Sequence, residues 1–515
     1  AGTHKPTNGT DRDITFQLAE GVDVYGGFPA AGGTWEQRNW QKNPTNLNGN
    51  IGSSGDHSDN SKNIVSAENL SEIIVLDGFT IIGGNGTFGA GMYVNQSNLV
   101  LRNLIFSNNY VTFDGGGLFL ASSNVEITNV TFEMNTAARS GGGVYHIFCE
   151  STLSNVSFEA NLAVDGGGMY LEFPSLLTNV TFSQNEATNN GGGIYVDSAG
   201  RATLNEVTFY ENIAHNFGGG MYNKNNWTNT LNSVTFTRNN ATSGGGIYYN
   251  ESEGVLTDVT FTGNSAVYGG GLFNYISDTE LSKITFLGNS ASSGGGVYNE
   301  QSNSKFTNVT FTGNSAVYGG GLFNYISDTE LSKITFLGNS ASSGGGVYNE
   351  QSNSKFTNVT FSENVSTFGG GMYNTFSSPF LRNITFYGNS ATSFGGGIMS
   401  NNSHPTLINN IFWANTTNQI TNGAGSTTTI SYSIIQGGYP GTGNSSVDPK
   451  LQPLASNGGF TQTHALGAGS SAIDTGDPTS CAVIDQRGYP RPVDGDGDGL
   501  AVCDMGAYEA DFSGF

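Results

Sequence analysis

Positive charge is scarce in this 515-residue chain: 18 Lys and Arg stand against 41 Asp and Glu, a formal net charge of −23. Phosphate backbones are held by Lys and Arg, so this balance excludes nucleic acid as a partner. It also excludes an electrostatic hold on anionic lipid. Charged residues of both signs make up only 11% of the chain, under half of the usual ~25%. No apolar run approaches the ~18 residues of a membrane helix, so no span is expected in this chain. The three cysteines, Cys149, Cys481 and Cys503, are too few for a disulfide framework. Cys481 and Cys503 lie close together and are expected to pair, leaving Cys149 as a free thiol; three reduced cysteines are the alternative. A bridge there would suit an oxidising, extracytoplasmic setting. The chain opens on Ala1-Gly2-Thr3, without Met or a charged-then-apolar leader. A leader removed by processing and an anchor lost beyond Phe515 are both compatible with these ends.

Glycine, at 76 residues, is about twice its usual ~7% share. With 33 Phe and 22 Tyr, the composition is not that of a disordered chain. These residues recur in order. Phe106, Phe132, Phe158, Phe182, Phe209 and Phe236 are followed by Phe261, Phe286, Phe311, Phe336, Phe361, Phe386 and Phe412, at intervals of 24 to 27 residues. Three residues after each stands an Asn, from Asn109 to Asn415. A Gly triplet comes next, then an aliphatic residue, then nearly always Tyr or Phe. The unit is approximately L-x-N-V-T-F-x-x-N-x-A-x-x-G-G-G-[IVLM]-[YF].

Val and Phe alternate around Thr, the period of a half-buried strand. The aliphatic residue after the Gly run starts a second short strand, and no stretch carries helical periodicity with caps. A period near 25 with Gly corners is one coil of a β-solenoid, whose apolar face is buried only by stacking on its neighbours. Equivalent residues then lie ~4.8 Å apart on successive coils. Phe stacks on Phe inside the tube, Asn on Asn at one corner, and Gly permits positive φ and close approach at another. A left-handed helix built on hexapeptides does not fit this longer unit. The predicted fold is therefore all-β, a right-handed parallel β-helix.

Three regions are expected. Residues 1–78 form irregular N-terminal coils, with the polar stretch from Trp35 to Ser61 as a loop excursion. Residues 79–447 form the regular repeats. From Asp448 the composition shifts to Pro, Asp and isolated apolar residues, so 448–515 is expected to cap the open end. Val259–Phe311 recurs without a change as Val309–Phe361, an offset of 50 residues. A catalytic cleft needs particular coils in particular places, whereas a structural or display surface tolerates added length.

The pairing of F-x-x-N with G-G-G-[IV]-Y, over roughly Phe79 to Asn415, resembles the repeats of polymorphic outer membrane proteins of the autotransporter type. The C-terminal stretch resembles the choice-of-anchor Q domain of bacterial secreted β-helix proteins. The matching residues are Asn457-Gly-Gly-Phe-Thr461, Ala472-Ile-Asp474-Thr-Gly476, Asp485-Gln-Arg-Gly488 and Asp504-Met-Gly-Ala-Tyr-Glu509. Gly2-Thr-His-Lys-Pro-Thr7 and Val24-Tyr-Gly-Gly-Phe28 look like the N-terminal coils of such proteins. The resemblance implies a secreted, extracellular or cell-surface protein.

Polysaccharide lyases of this shape need clustered acidic Ca²⁺ ligands beside an Arg or Lys base, and hydrolases need paired carboxylates. No such cluster is legible. Asp114 and Asp165 lie two coils apart, and the six His are scattered; no catalytic residue is assigned. Asp494, Asp496 and Asp498 alternate with Gly in a tight turn, which suits oxygen ligation of a structural Ca²⁺; a solvated acidic turn is the alternative. The aromatics after each Gly triplet, among them Tyr145, Tyr170, Tyr195, Tyr222, Tyr248, Phe273 and Tyr298, alternate with inward aliphatics. Turned outward in this way, they would form an external stripe that could stack on sugars or on another rod. A ladder that shields its own backbone or packs under loops is the preferred reading. The N-x-[ST] sequons, for instance at Asn129 and Asn308, are generated by the repeat itself and carry little weight. The preferred function is an extracellular structural or adhesive β-helix that self-associates into a fibre or layer. The alternative is a protein that binds or degrades surface polysaccharide.

Overall fold

The structure, a computed structural model, describes residues 1–53, 55–224 and 227–511. It divides into two compact units, Ala1–Glu253 and Gly254–Phe515. Each is an all-β parallel solenoid; among the described residues the helical elements are two short 3₁₀ turns, Trp35–Gln37 and His57–Asp59.

In the first unit a coil carries a long strand, a very short one and a third after the Gly triplet. Leu99–Ser107, Val125–Glu133, Ser151–Glu159 and Ser175–Ser183 are long strands paired in parallel, with Phe106 opposite Phe132, Phe132 opposite Phe158, and Phe158 opposite Phe182. The rings stack face to face at 4.9 Å for Phe106–Phe132 and 5.0 Å for Phe132–Phe158, fully buried. The consensus Asn three positions before each Phe bends the long strand: Asn103, Asn129, Asn155 and Asn179 have φ of 52–55°, a region that Asn tolerates better than most residues. Met92, Leu118, Val144 and Met169 open the third strands and point inward with no exposed surface.

The N-terminal residues enter the same stack. Gly2–His4 pairs with Thr45–Asn48, which pairs with Thr80–Ile82; Val24–Tyr25 pairs with Ile74–Asp77. This corrects the loop expected from Trp35 to Ser61. Within that polar stretch Thr45-Asn-Leu47-Asn keeps a period of two, with Thr45 and Leu47 buried, and so holds a place in the sheet.

The corner Asn ladder satisfies its amides from coil to coil. Asn135 Nδ2 donates to Asn161 Oδ1 at 3.0 Å and to Phe106 O at 2.9 Å, and its backbone N–H donates to the same Asn161 Oδ1 at 3.0 Å. The bonds repeat in the second unit, where Asn289 Nδ2 donates to Asn314 Oδ1 at 3.0 Å. At the Gly corner Gly294 has φ +65°, a Cβ on Gly295 would come within 2.4 Å of Gly320 O, and one on Gly296 within 2.9 Å of Phe311 Cδ1. No larger residue fits there.

In the second unit the duplicated coils keep an unbroken register: Glu280 lies opposite Lys305, Lys305 opposite Glu330, and Glu330 opposite Lys355. Opposite charges on neighbouring strands are mutually favourable. A second inward Asn ladder runs here, with Asn274 donating to Asn299 at 2.8 Å, Asn299 to Asn324 at 2.9 Å and Asn324 to Asn349 at 3.0 Å, all fully buried.

The C-terminal segment lies along the side of the coils, unlike the cap expected over their open end. Thr335, Thr360 and Thr385 face outward at equivalent positions on successive coils. Thr335 Oγ1 donates to Gln462 O at 2.7 Å, Thr360 Oγ1 to Gln486 Oε1 at 2.7 Å, and Ala507 N to Thr385 Oγ1 at 3.0 Å. Ile473, Met505 and Ala510 pack with Ile411 and Ile434 in one apolar cluster.

Candidate functional site

The aromatics after the Gly triplets point away from the tube interior, as alternation requires, yet they are not freely exposed. In the first unit Phe119–Tyr145, Tyr145–Tyr170 and Tyr170–Tyr195 stack at 5.4, 5.0 and 4.8 Å. Tyr195, Tyr222 and Tyr248 are buried, as are Phe273, Tyr298 and Tyr348 in the second unit. The rings thus form the self-shielding ladder preferred from the sequence, with Tyr145 and Tyr170 half-buried and the later rings covered by their neighbours. Burial pushes the phenols of Tyr298 and Tyr348 well above their ordinary pKa.

What is exposed is a different pair. Tyr268 and Tyr318, immediately before their Gly triplets, are 42% and 44% exposed. Each stands edge-on to a buried Tyr of the same stripe: Tyr268 to Tyr298 at 5.6 Å, and Tyr318 to Tyr348 at 5.4 Å. Backbone bridges set the order Tyr268, Ser293, Tyr318, Ser343 on successive coils. A groove of about 420 Å³ opens between the two exposed rings, lined also by Ser293, Tyr325 and Glu350. Burial raises the pKa of the Glu350 carboxyl. The sequence signal was present, since Tyr replaces the Ser that precedes the neighbouring triplets, but alternation drew attention to the wrong aromatics.

A larger groove of about 780 Å³ in the first unit runs across successive coils, with Asn98, Glu126, Glu150, Leu176 and Arg201 among its lining residues. Its two carboxylates come from neighbouring coils, Glu126 lying opposite Thr152.

In the C-terminal segment the metal expectation is redrawn. Among the described residues, the group whose carboxylates converge is Asp474, Asp494 and Asp496, with ligand atoms within 4.8 Å of one another. Asp498 lies outside it and Asp474 takes its place. Asp474 already accepts backbone N–H groups from Gly495, Asp496 and Val502 at 2.9, 3.0 and 3.1 Å. Asp494 accepts from Gly497 and Gly499. The turn is therefore closed by its own amides, while its remaining oxygen lone pairs have the hardness that Ca²⁺ prefers. Cys481 and Cys503 are joined in a disulfide with Cα atoms 5.8 Å apart, and Cys149 is a buried free thiol. Cys149 occupies a corner position that the preceding coil fills with Ser123, and both bond the carbonyl two residues earlier.

Beneath this surface lies a buried charge network. Arg491 Nη1 and Glu509 Oε2 lie 3.3 Å apart with both side chains essentially inaccessible. Burial, and then the neighbouring Glu509, push Asp504 up to about 8.

The family model described as the right handed beta helix region matches residues 50–212. The Chlamydia polymorphic membrane protein repeat matches residues 258–275, 283–300, 333–350 and 383–401. The chain is a right-handed β-helix repeat protein. No curated protein matches it. The matched repeats of this β-helix protein contain the F-x-x-N and Gly-triplet segments that build the Asn corner and the Gly corner. No helix among the described residues is long and apolar enough to cross a membrane.

Proposed function

We propose that this protein is a structural or adhesive β-helix of the cell surface or extracellular space, working through repeated faces and able to self-associate into a fibre or layer. The observation that carries the reading is the register of the duplicated coils. Val259–Phe311 and Val309–Phe361 are identical, and the ladders pass through both copies without a break. Insertion of a coil pair lengthens such a surface and leaves every neighbour relationship in place. The likeness of the repeats to those of a bacterial membrane protein supports a surface setting.

The second reading, polysaccharide binding or degradation, is favoured by Glu126 and Glu150 in the large groove of the first unit. Electron microscopy of native preparations, together with assays for new reducing ends on plant and microbial polysaccharides, separates the two. Regular polymers or layers without turnover are expected. Release of reducing ends that is lost in Glu126→Gln or Glu150→Gln would replace the structural reading with the enzymatic one.

A further inference from the structure

We infer that the groove between Tyr268 and Tyr318 binds an uncharged, extended glycan chain, with sugar rings stacked on the two exposed tyrosines. The inference rests on the adhesive reading and takes from the second reading its polysaccharide ligand, bound here without turnover. Tyr268 and Tyr318 are separated by one intervening coil, which bears Ser293 at the equivalent position. At ~4.8 Å per coil the two rings stand about 10 Å apart. That is close to the length of a disaccharide unit in an extended β-linked chain, so alternate sugars meet the two tyrosines.

The side chains suit this ligand. Each exposed ring is held at a fixed angle by the buried Tyr behind it, so little ordering cost attaches to binding. Aromatic faces pack against the C–H faces of sugars, while Ser293, Tyr325 and Glu350 offer hydroxyl and carboxylate partners for sugar hydroxyls. Charge decides against the competing occupants. The lining carries Glu350 and no Lys or Arg, and the whole chain bears −23. Polyanionic glycans would bring like charge to this acidic groove, which is unfavourable.

Titration calorimetry of the full chain with cellohexaose and chitohexaose tests the inference, with polygalacturonate as the anionic control. Binding of at least one neutral hexasaccharide is expected, and none of the control. Tyr268→Ala/Tyr318→Ala should weaken it by about tenfold or more, and the double change to Phe should leave it within about threefold. If the Ala variant fails to fold, Ser293→Tyr, which fills the gap without truncating anything, should weaken binding by a similar factor. No heat with either hexasaccharide at millimolar concentration overturns the inference, as does equal binding of polygalacturonate. Affinity unchanged in the Ala variant also overturns it. None of these failures touches the structural reading, which is tested by imaging of native polymers and by the assay for turnover.

Discussion

His146 Nε2 and Ser151 Oγ lie 3.0 Å apart inside the first unit, at positions that the preceding coil fills with Leu120 and Val125. On the following coil Leu171 lies opposite His146 and Ser175 opposite Ser151, and His146 has no exposed surface. Burial lowers its pKa from about 6.5 to about 4. The folded state therefore disfavours the protonated ring. The associated stability is complete above about pH 6.5 and is lost as pH falls towards 4, by at most about 3 kcal/mol. Thermal unfolding at pH 7 and pH 5 should show a larger acid-induced drop for the natural chain than for His146→Leu/Ser151→Val, which copies the preceding coil. Equal drops would mean that His146 does not carry this sensitivity.

Thr310 and Thr360 are the same residue in the two copies of the duplicated block, yet only Thr360 is buried, donating to Gln486 at 2.7 Å. Thr360→Ala leaves the Gln486 oxygen without that donor and should cost about 1–2 kcal/mol. Thr310→Ala should stay within about 0.5 kcal/mol. Denaturant unfolding of the two variants compares identical local sequences. Equal effects would contradict the lateral docking of the C-terminal segment.

Phe286 is fully buried, with its ring 4.9 Å from that of Phe311, and next to it in the chain Thr285 is only half-buried. Phe286→Ala should cost about 3–5 kcal/mol, well beyond Thr285→Ala. A melting temperature lowered equally by both would remove Phe from the interior.

Joining Lys283 directly to Ile334 deletes a coil pair and, because of the duplication, creates no new neighbour sequence. The shortened protein should fold with unchanged circular dichroism per residue, as expected where each coil contacts only its neighbours. Failure to fold would show that the duplicated coils hold contacts beyond the ladder.

Calcium added to the metal-free protein should protect the turn around Asp494–Asp498 from proteolysis, and a chelator should reverse this while the coils stay intact. Asp474→Asn should weaken binding by calorimetry and Asp498→Asn should not, because Asp498 stands outside the converging group. Absence of heat at millimolar Ca²⁺ would leave a turn closed only by its own amides.

Much of the architecture was legible because it is periodic and local. A residue spacing near 25, Phe on one side of a strand, Asn at F-x-x-N and a Gly triplet recur through the regular coils from Phe106 to Gly397, so one coil read correctly predicts its neighbours. The inward Asn ladder from Asn274 was legible too: it stands two residues after an inward aliphatic and must share its face. Thr45–Asn48 was hidden because a polar composition masked a strand held by pairing on both sides.

Other features depend on residues far apart in the chain. Nothing in V-T-F distinguishes Thr310 from Thr360, and it is the returning C-terminal segment, with Gln486 126 residues later, that covers one of them. Asp474 joins Asp494 and Asp496 because the segment between them returns upon itself, and Tyr268 faces outward beside Tyr298 because stacking sets neighbouring coils in register. The sequence by itself determined the coil, its period and its inward ladders, since backbone pairing and burial at each repeat are nearest-neighbour effects. Only the tertiary structure decided which outward positions are covered, which carboxylates converge and which aromatics stay open, since those depend on docking across the coils, which no local period records.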